Sequence, residues 1–213
     1  MNKWNSIAHL KELLCEELPG EKAHLRMLPY LRELRPLRDH TQVIQESAVL
    51  ILIWWDQSYK TCVIKRNSDM RNHAGQFALP GGKFDSQLDH NLKQTAIRET
   101  KEEIGVELTL DSIIGTLTKI YIPVSNFYIT PYVAFVQEKP FFVINQDEVE
   151  KIVQINLNEM FSSKGEMTVA IKGHEMSVPS YNYFDTKIWG ATAMILSEFE
   201  EIWKTLKKRT IRC

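Results

Sequence analysis

The chain has 213 residues, of which 44% are hydrophobic and 25% charged. This composition is typical of a soluble globular protein with enough apolar residues for a sizeable core. The formal net charge of -1 argues against nucleic acid or an acidic membrane surface as the main partner, so the function is expected to reside in a local site.

The three cysteines, Cys15, Cys62 and Cys213, are far apart and form no CxxC pair. This pattern gives no zinc-site spacing and favours a reduced, cytoplasmic protein. The longest apolar run, at 48–55, is too short to span a bilayer, and the N-terminus lacks the pattern of a secretion signal. We therefore expect no membrane segment and no membrane partner.

The first forty residues are predicted to be a helical and capping segment. Residues 6–17 carry apolar side chains at helical spacing, and we expect this helix to pack on the main fold until Pro19 and Gly20 end it. The stretch 24–37 is apolar and basic, with two prolines that prevent a long helix. We place this segment at residues 1–40 and the main domain at residues 41–213.

From residue 47 onward, short β-rich runs surround two helices. The helices are predicted over 89–104 and 191–208. The strands are predicted over 48–55, 61–65, 113–122, 130–137 and 151–156, with short extended pieces near 168–171 and 176–178. This order predicts an α/β (α+β) fold in which helices flank a mixed sheet.

The helix over 89–104 carries an unusual cluster of charges. Asp89 is a suitable N-cap and Gly105 a suitable left-handed C-terminal residue. One side of the helix is a packing stripe of Ala96, Ile97, Thr100 and Ile104.

Three carboxylates of this helix, Glu99, Glu102 and Glu103, are close enough to repel one another. Arg98 can pair with Glu102, whereas Glu99 and Glu103 lack an equally placed partner on the helix. Hard cations such as Mg²⁺ bind clustered carboxylates and bridge them to phosphates. The cluster is therefore either a metal site or an ordinary solvated helix face.

A glycine turn, "LPGGK", precedes this helix, and Gly81 and Gly82 permit close approach of the backbone to a ligand. Alone, two glycines indicate only a turn. Together with the Arg-Glu-x-x-Glu-Glu-x-Gly pattern that begins at Arg98, they resemble the Nudix box, G-x5-E-x7-R-E-U-x-E-E-x-G-U, where U is apolar. Thr100 replaces an apolar residue, and the sixteen steps from Gly82 to Arg98 exceed the fourteen of the box.

The stretch 63–82 is similar to the extra motif of the coenzyme A pyrophosphatase subfamily of Nudix hydrolases, L-L-T-x-R-S-x-x-L-R-x-H-x-G-x-V-x-F-P-G-G. Seven residues match at the right spacing: Arg66, Arg71, His73, Gly75, Pro80, Gly81 and Gly82. Among the other positions, Asn67 replaces the Ser, Met70 the Leu, Phe77 the Val and Leu79 the Phe. Later segments extend the resemblance over about residues 45–200.

The resemblance implies a Nudix-type α/β/α sandwich that hydrolyses a nucleoside diphosphate derivative with Mg²⁺ or Mn²⁺. Coenzyme A would yield 3',5'-ADP and 4'-phosphopantetheine. The implied metal ligands are Glu99 and Glu103, with Glu102 nearby and the Gly82 carbonyl, and Arg98 would orient the carboxylates. The general base varies within the family, and Glu148 or Glu150 is the candidate here, unless both belong to a solvated acidic turn.

The implied substrate-binding residues are cationic side chains and the glycine turn: Arg66, Arg71, His73, Gly81 and Gly82. Guanidinium groups bind phosphate oxygens well, although surface ion pairing or a structural role for His73 is the alternative. Five aromatic residues could contact adenine or pantetheine, with core packing as the default: Tyr128, Tyr132, Tyr181, Tyr183 and Phe184.

Three functions remain open from the sequence. The first is a coenzyme A or acyl-coenzyme A pyrophosphatase, and the second is a Nudix hydrolase for another nucleotide, such as ADP-ribose or a dinucleotide. The third is a binding or regulatory module without catalysis, against which the presence of all three box carboxylates argues. Each of them implies a small nucleotide as the partner, and a homodimer is left open.

Overall fold

A long strand, β1 (Gln45–Asp56), lies at the centre of the fold. The structure is a computed structural model, and it describes residues 3–28, 43–69, 74–171 and 174–212. The residues from Leu50 to Trp54 are fully buried. Because both faces of β1 are covered, its sequence is a continuous apolar run without alternation.

Among the described residues, eight strands form one mixed sheet. The other strands of this sheet are β2 (Ser58–Arg66), β3 (Phe77–Ala78), β4 (Gly81–Lys83), β5 (Ile113–Thr116), β6 (Ile120–Ile122), β7 (Phe127–Val136) and β8 (Val149–Asn156). β1 pairs in parallel with β7 and antiparallel with β2 and β4, in the order β3-β2-β1-β7-β5. A second, antiparallel sheet contains β9 (Lys164–Ile171), β10 (His174–Tyr183) and β11 (Thr186–Trp189).

Helices cover both faces of the large sheet. The described helices are α1 (Lys3–Leu13), α2 (Glu21–His24), α3 (Leu92–Ile104), α4 (Leu157–Phe161) and α5 (Gly190–Arg212). One apolar cluster joins α3 to the face of β1 that carries Ala48 and Leu50, and the other joins α1 and α5 to the face that carries Ile51 and Ile53. The predicted mixed sheet flanked by helices is confirmed.

Several predicted elements differ in their bounds. The N-terminal helix ends at Leu13, and it packs against α5 as predicted. The predicted strand 113–122 is divided into β5 and β6, between which Leu117 is buried. The predicted boundary at residue 40 lies outside the described residues and stays a prediction. No helix in the described part of the chain is long and apolar enough to cross a membrane.

Glu198 of α5 fixes the N-terminal segment to the core. Its buried carboxylate accepts hydrogen bonds from the Gly20 amide at 3.1 Å and the Thr118 hydroxyl at 2.6 Å, and it lies 2.9 Å from His24 Nε2. Burial raises the pKa of Glu198, but the bonds from His24 and Thr118 outweigh burial and hold the pKa below the ordinary 4.5.

Replacing Glu198 by Ala is expected to lower the free energy of unfolding by roughly 3 kcal/mol, because the buried His24 and the half-buried Gly20 amide and Thr118 hydroxyl lose their common partner. Chemical denaturation measures the change. The control is Glu201→Ala on the same helix, whose ion pair with Arg26 is partly exposed and should contribute less than about 1 kcal/mol.

The same pair of proteins has an expected pH dependence. A carboxyl whose folded pKa is depressed stabilises the fold in full above pH 4.5, and this contribution disappears as the pH falls through the folded pKa. The stability difference between wild type and Glu198→Ala should therefore shrink in acid. A difference that stays constant from pH 7 to pH 3 would contradict this role.

Candidate active site

Helix α3 begins and ends at residues with defined capping geometry. Asn91 is the N-cap, and its side chain accepts a hydrogen bond from the Gln94 amide at 3.1 Å. Gly105 ends the helix in the left-handed conformation, with φ 71°, as predicted. The prediction that Asp89 caps the helix is wrong, because the helix begins at Leu92 and Asn91, two residues after Asp89, is the N-cap.

Asp89 instead holds the guanidinium of Arg98. Its carboxylate, almost fully buried, accepts hydrogen bonds from Arg98 Nε and Nη2, each at 2.9 Å, and from the Thr95 hydroxyl at 2.9 Å. The bonds from Arg98 hold the pKa of Asp89 below its ordinary range, against the opposing effect of burial. Asp89 is thus an ionised anchor that fixes the plane of the guanidinium.

The remaining nitrogen of Arg98 faces two carboxylates of the same helix. Nη1 lies 2.9 Å from Glu99 and 2.7 Å from Glu102. The pairing with Glu102 agrees with the prediction, but the expectation that Glu99 lacks a partner on the helix is wrong. Arg98 therefore connects the buried anchor to the exposed edge of the site.

Glu103 is the most buried carboxylate of the cluster, with 1% of its side chain exposed. Its Oε2 accepts a hydrogen bond from the Gly81 amide at 2.9 Å, and its Oε1 lies 3.5 Å from Arg66 Nη1. Gly81 has φ 146°, and a Cβ there would lie 2.2 Å from the Ala48 carbonyl oxygen. Only glycine fits this close contact between β4 and β1.

Glu99 lies against Gly82. The prediction that the two glycines form a turn is wrong, because they belong to strand β4 and pair with β1. A Cβ on Gly82 would lie 2.4 Å from the carboxyl carbon of Glu99 and 2.5 Å from one of its oxygens. The absence of a side chain at this position therefore leaves the space that the Glu99 carboxylate occupies. Through Gly81 and Gly82, β4 contacts both inward-facing carboxylates of α3.

Negative charge exceeds positive charge around these two carboxylates. Burial is the main cause that raises the pKa of Glu103 to about 8, and the charges of Glu99 and Glu148 add to the shift despite the Gly81 amide and Arg66. Burial also raises the pKa of Glu99, although Arg98 opposes it. A hard divalent cation would relieve this repulsion, and the oxygen-only donor set fits Mg²⁺ or Mn²⁺.

The described side chains do not converge into a complete metal cage: no group of three acidic, histidine or cysteine side chains among them has ligand geometry. Glu102 is about half exposed and bound to Arg98, so Glu99 and Glu103 are the two inward-facing carboxylates. Mg²⁺ sites commonly have few protein carboxylates, because water and substrate oxygens complete the coordination.

The two acidic candidates for general base lie in different surroundings. Glu148 precedes β8, accepts a weak hydrogen bond from Asn145 at 3.4 Å, and its charge acts on both Glu99 and Glu103. Glu150 is exposed and bound to Lys65 at 2.7 Å. The structure therefore brings Glu148 near the carboxylate pair and pairs Glu150 with a lysine.

The cationic candidates are only partly described. Arg66 ends β2 beside Glu103, and its buried Nε has no hydrogen-bond partner in the structure. Arg71 and His73 lie outside the described residues, and their roles stay predictions. An open cleft of about 550 Å³ adjoins the carboxylates and is lined by Lys83, Phe84, Asp85, Ser86, Arg98 and Glu99.

The five aromatic candidates separate into distinct groups. Tyr132 and Tyr181 are buried in the core. Tyr183 ends β10 of the second sheet and Phe184 follows in the turn to β11, with 4.8 Å between the centres of their rings. Tyr128 remains half-buried on β7, on the same face of the large sheet as α3.

Comparison with known proteins gives one consistent family. The model of the NUDIX domain matches residues 45–170. A protein of Pectobacterium atrosepticum named as an uncharacterized Nudix hydrolase, NudL, is 30% identical over 167 residues, which are 78% of this chain and 84% of that protein. Nudix hydrolase 3 of Caenorhabditis elegans is 27% identical over 195 residues, covering 86% and 80% of the two chains.

A solved structure supports the fold independently. The crystal structure of a MutT/nudix family protein from Enterococcus faecalis superimposes with a TM-score of 0.54 at 15% identity, covering 96% of this chain and 75% of that chain. At this identity the likeness concerns the fold alone, and it agrees with the mixed sheet flanked by helices.

The anchor of Arg98 can be tested through stability. Asp89→Asn removes the charge that two guanidinium bonds require and should lower the free energy of unfolding by roughly 2 kcal/mol. The matched control is Asp56→Asn, which breaks a partly exposed pair with Lys60 and should cost under about 1 kcal/mol. Equal effects of the two variants in urea denaturation would contradict the anchoring role.

Proposed function

Because the chain belongs to the Nudix hydrolase family, we propose that it hydrolyses the diphosphate bond of coenzyme A or an acyl-coenzyme A, giving 3',5'-ADP and 4'-phosphopantetheine. The observation that carries the hydrolytic proposal is the pair of desolvated carboxylates, Glu99 and Glu103, beside the two glycines of β4. The support for coenzyme A as the substrate is the motif over residues 63–82.

Glu99 and Glu103 would hold Mg²⁺ or Mn²⁺, with Glu102 and the Gly82 carbonyl as further oxygen donors. A bound divalent ion supplies neutralisation of the diphosphate charge and activation of water. Arg98, fixed by Asp89, keeps the Glu99 carboxylate in place. The family expectation that Arg98 orients the ligands thus has a physical basis in its contacts.

The substrate diphosphate would lie over Gly81 and Gly82 of β4. Arg66 has a buried Nε–H without a partner, and a phosphate oxygen is the acceptor that such a donor requires. Arg71 and His73, which follow in the same motif, would add further cationic contacts to the phosphate groups.

In the proposed reaction, a water oxygen attacks one phosphorus while the bond from that phosphorus to the bridging oxygen breaks. Two phosphate monoesters leave, and the proton lost by the water passes to a carboxylate. Glu148 is our candidate for that base, because its charge acts on both inward-facing carboxylates. Arg66 would remain close to the negative charge that develops on the departing phosphate.

A product assay tests the substrate. Coenzyme A, ADP-ribose and NADH are incubated in parallel with Mg²⁺ or Mn²⁺, with EDTA samples as controls, and the products are identified by mass spectrometry. We expect metal-dependent 3',5'-ADP and 4'-phosphopantetheine from coenzyme A. Cleavage of ADP-ribose or NADH alone would retain the hydrolase chemistry and overturn the proposed substrate.

Glu103→Gln should abolish turnover while the protein stays folded, because the amide can still accept the Gly81 hydrogen bond but no longer carries charge. Since loss of residues that only support ligands costs roughly 10- to 100-fold, loss of a direct ligand should cost more than about 100-fold. The control is Glu107→Gln, whose exposed partner is Lys101. Wild-type turnover of Glu103→Gln at saturating metal would contradict the ligand assignment.

A further inference from the structure

A row of partly exposed side chains crosses the large sheet next to the carboxylate pair. On β1, Ala48 and Leu50 face α3, so Glu46 lies on the same face by the two-residue period of a strand. Tyr128 of β7 is the direct neighbour of Glu46, and Tyr121 of β6 is the direct neighbour of Tyr128. Side chains at such paired positions lie together on one face of the sheet.

Phe84 extends this row toward the cleft. The Phe84 amide donates to the Glu46 carbonyl at 2.9 Å, which continues the pairing of Gly82 with Ala48 by two residues. Phe84 also lines the cleft together with Glu99. A two-residue step along a strand is roughly 7 Å, so the row begins one such step from the glycine that contacts Glu99.

Glu46 carries an unused acceptor in the middle of this row. Its Oε1 binds Lys119 at 2.7 Å, whereas its Oε2 is buried and has no hydrogen-bond partner in the structure. A buried acceptor without a donor is costly, and such a group is commonly satisfied by a ligand or by water. Lys119 also lies 4.4 Å from the centre of the Tyr128 ring, which fixes the positions of both side chains.

We propose that Glu46, Phe84 and Tyr128 form the subsite for the nucleobase of the substrate, and that this base carries an exocyclic amine. The amine donates to Glu46 Oε2, and the planar ring lies between the aromatic side chains that flank Glu46 on the neighbouring strands. This assignment rests on the proposed function and deepens it, since it names the residues that would bind the amine-bearing base of coenzyme A.

The chemistry of the row favours a base over other planar groups. Aromatic rings bind any flat π-system, but a carboxylate selects one that offers N–H donors and rejects one that offers only acceptors at that edge. Adenine carries one exocyclic amine, whereas unsubstituted purine has the same ring system without it. The two bases therefore separate the contribution of stacking from that of the hydrogen bond.

The test uses binding of two nucleotides in EDTA, so it does not depend on turnover. Dissociation constants are measured by NMR titration for AMP and for purine riboside 5'-monophosphate. Wild type should bind AMP about tenfold more tightly, as expected for a hydrogen bond to a charged group. Glu46→Ala should remove this preference, while Asp56→Ala at the other end of the same strand, also paired with a lysine, should retain it.

Replacing the aromatic residues should lower the affinity for both nucleotides and leave the preference for AMP unchanged. Phe84→Leu and Tyr128→Leu should weaken both nucleotides equally, by about fivefold or more, because stacking does not depend on the amine. The control is Phe184→Leu in the turn between β10 and β11, where the exposed ring is expected to contribute nothing. Melting temperatures check that each variant is folded.

Equal affinity of wild type for the two nucleotides, or an unchanged preference in Glu46→Ala, would overturn the subsite. This outcome is distinct from failure of the proposed function, which the product assay detects. A protein that shows the Glu46 signature but cleaves none of the offered diphosphates would retain the subsite and lose the reaction.

Discussion

The hydrogen bond from the Gly81 amide to the buried Glu103 carboxylate is the contact on which the site depends. It joins the last turn of α3 to β4, and it requires a glycine because β4 approaches β1 too closely for a Cβ. Burial of a carboxylate is unfavourable unless other groups compensate for it. The Gly81 amide and the more distant Arg66 compensate for this burial only in part. A bound cation would supply the rest of the compensation.

Arg98 extends this arrangement away from the buried end. Its Nε and one terminal nitrogen bind Asp89, and the other terminal nitrogen contacts Glu99 and Glu102. The loop before α3 is two residues longer than in the standard Nudix box, yet it folds back on itself, since the Asp89 amide donates to the Asp85 carbonyl at 2.7 Å. The longer loop therefore still delivers a carboxylate to Arg98.

The sequence predicted the elements that have strong local signals. Gly105 marks the end of α3 because few other residues adopt the left-handed conformation, and the apolar run of β1 marks a strand buried on both faces. The resemblance to the Nudix box likewise indicated that Gly81 and Gly82 and the carboxylates of α3 belong to one site.

Other features depend on contacts between residues that are distant in sequence. Aspartate is a common N-cap residue, so the sequence alone suggests a capping role for Asp89. The role of Asp89 as the anchor of Arg98 is visible only from the position of Arg98 in the fold. β4 has three residues, two of them glycine, and is a strand only because β1 pairs with it. The row around Glu46 comes from three strands and from the residue that follows β4, so no single stretch of the sequence displays it.

A crystal structure with a bound metal ion would show whether Glu99 and Glu103 are its ligands. Crystals soaked in Mn²⁺ would be measured for anomalous scattering, which locates the ion without assumptions about its ligands. We expect one peak within about 2.5 Å of a carboxylate oxygen of both Glu99 and Glu103. An ion bound only elsewhere, with Glu103 still held by Gly81 and Arg66 alone, would contradict the assignment of this carboxylate pair as the metal site.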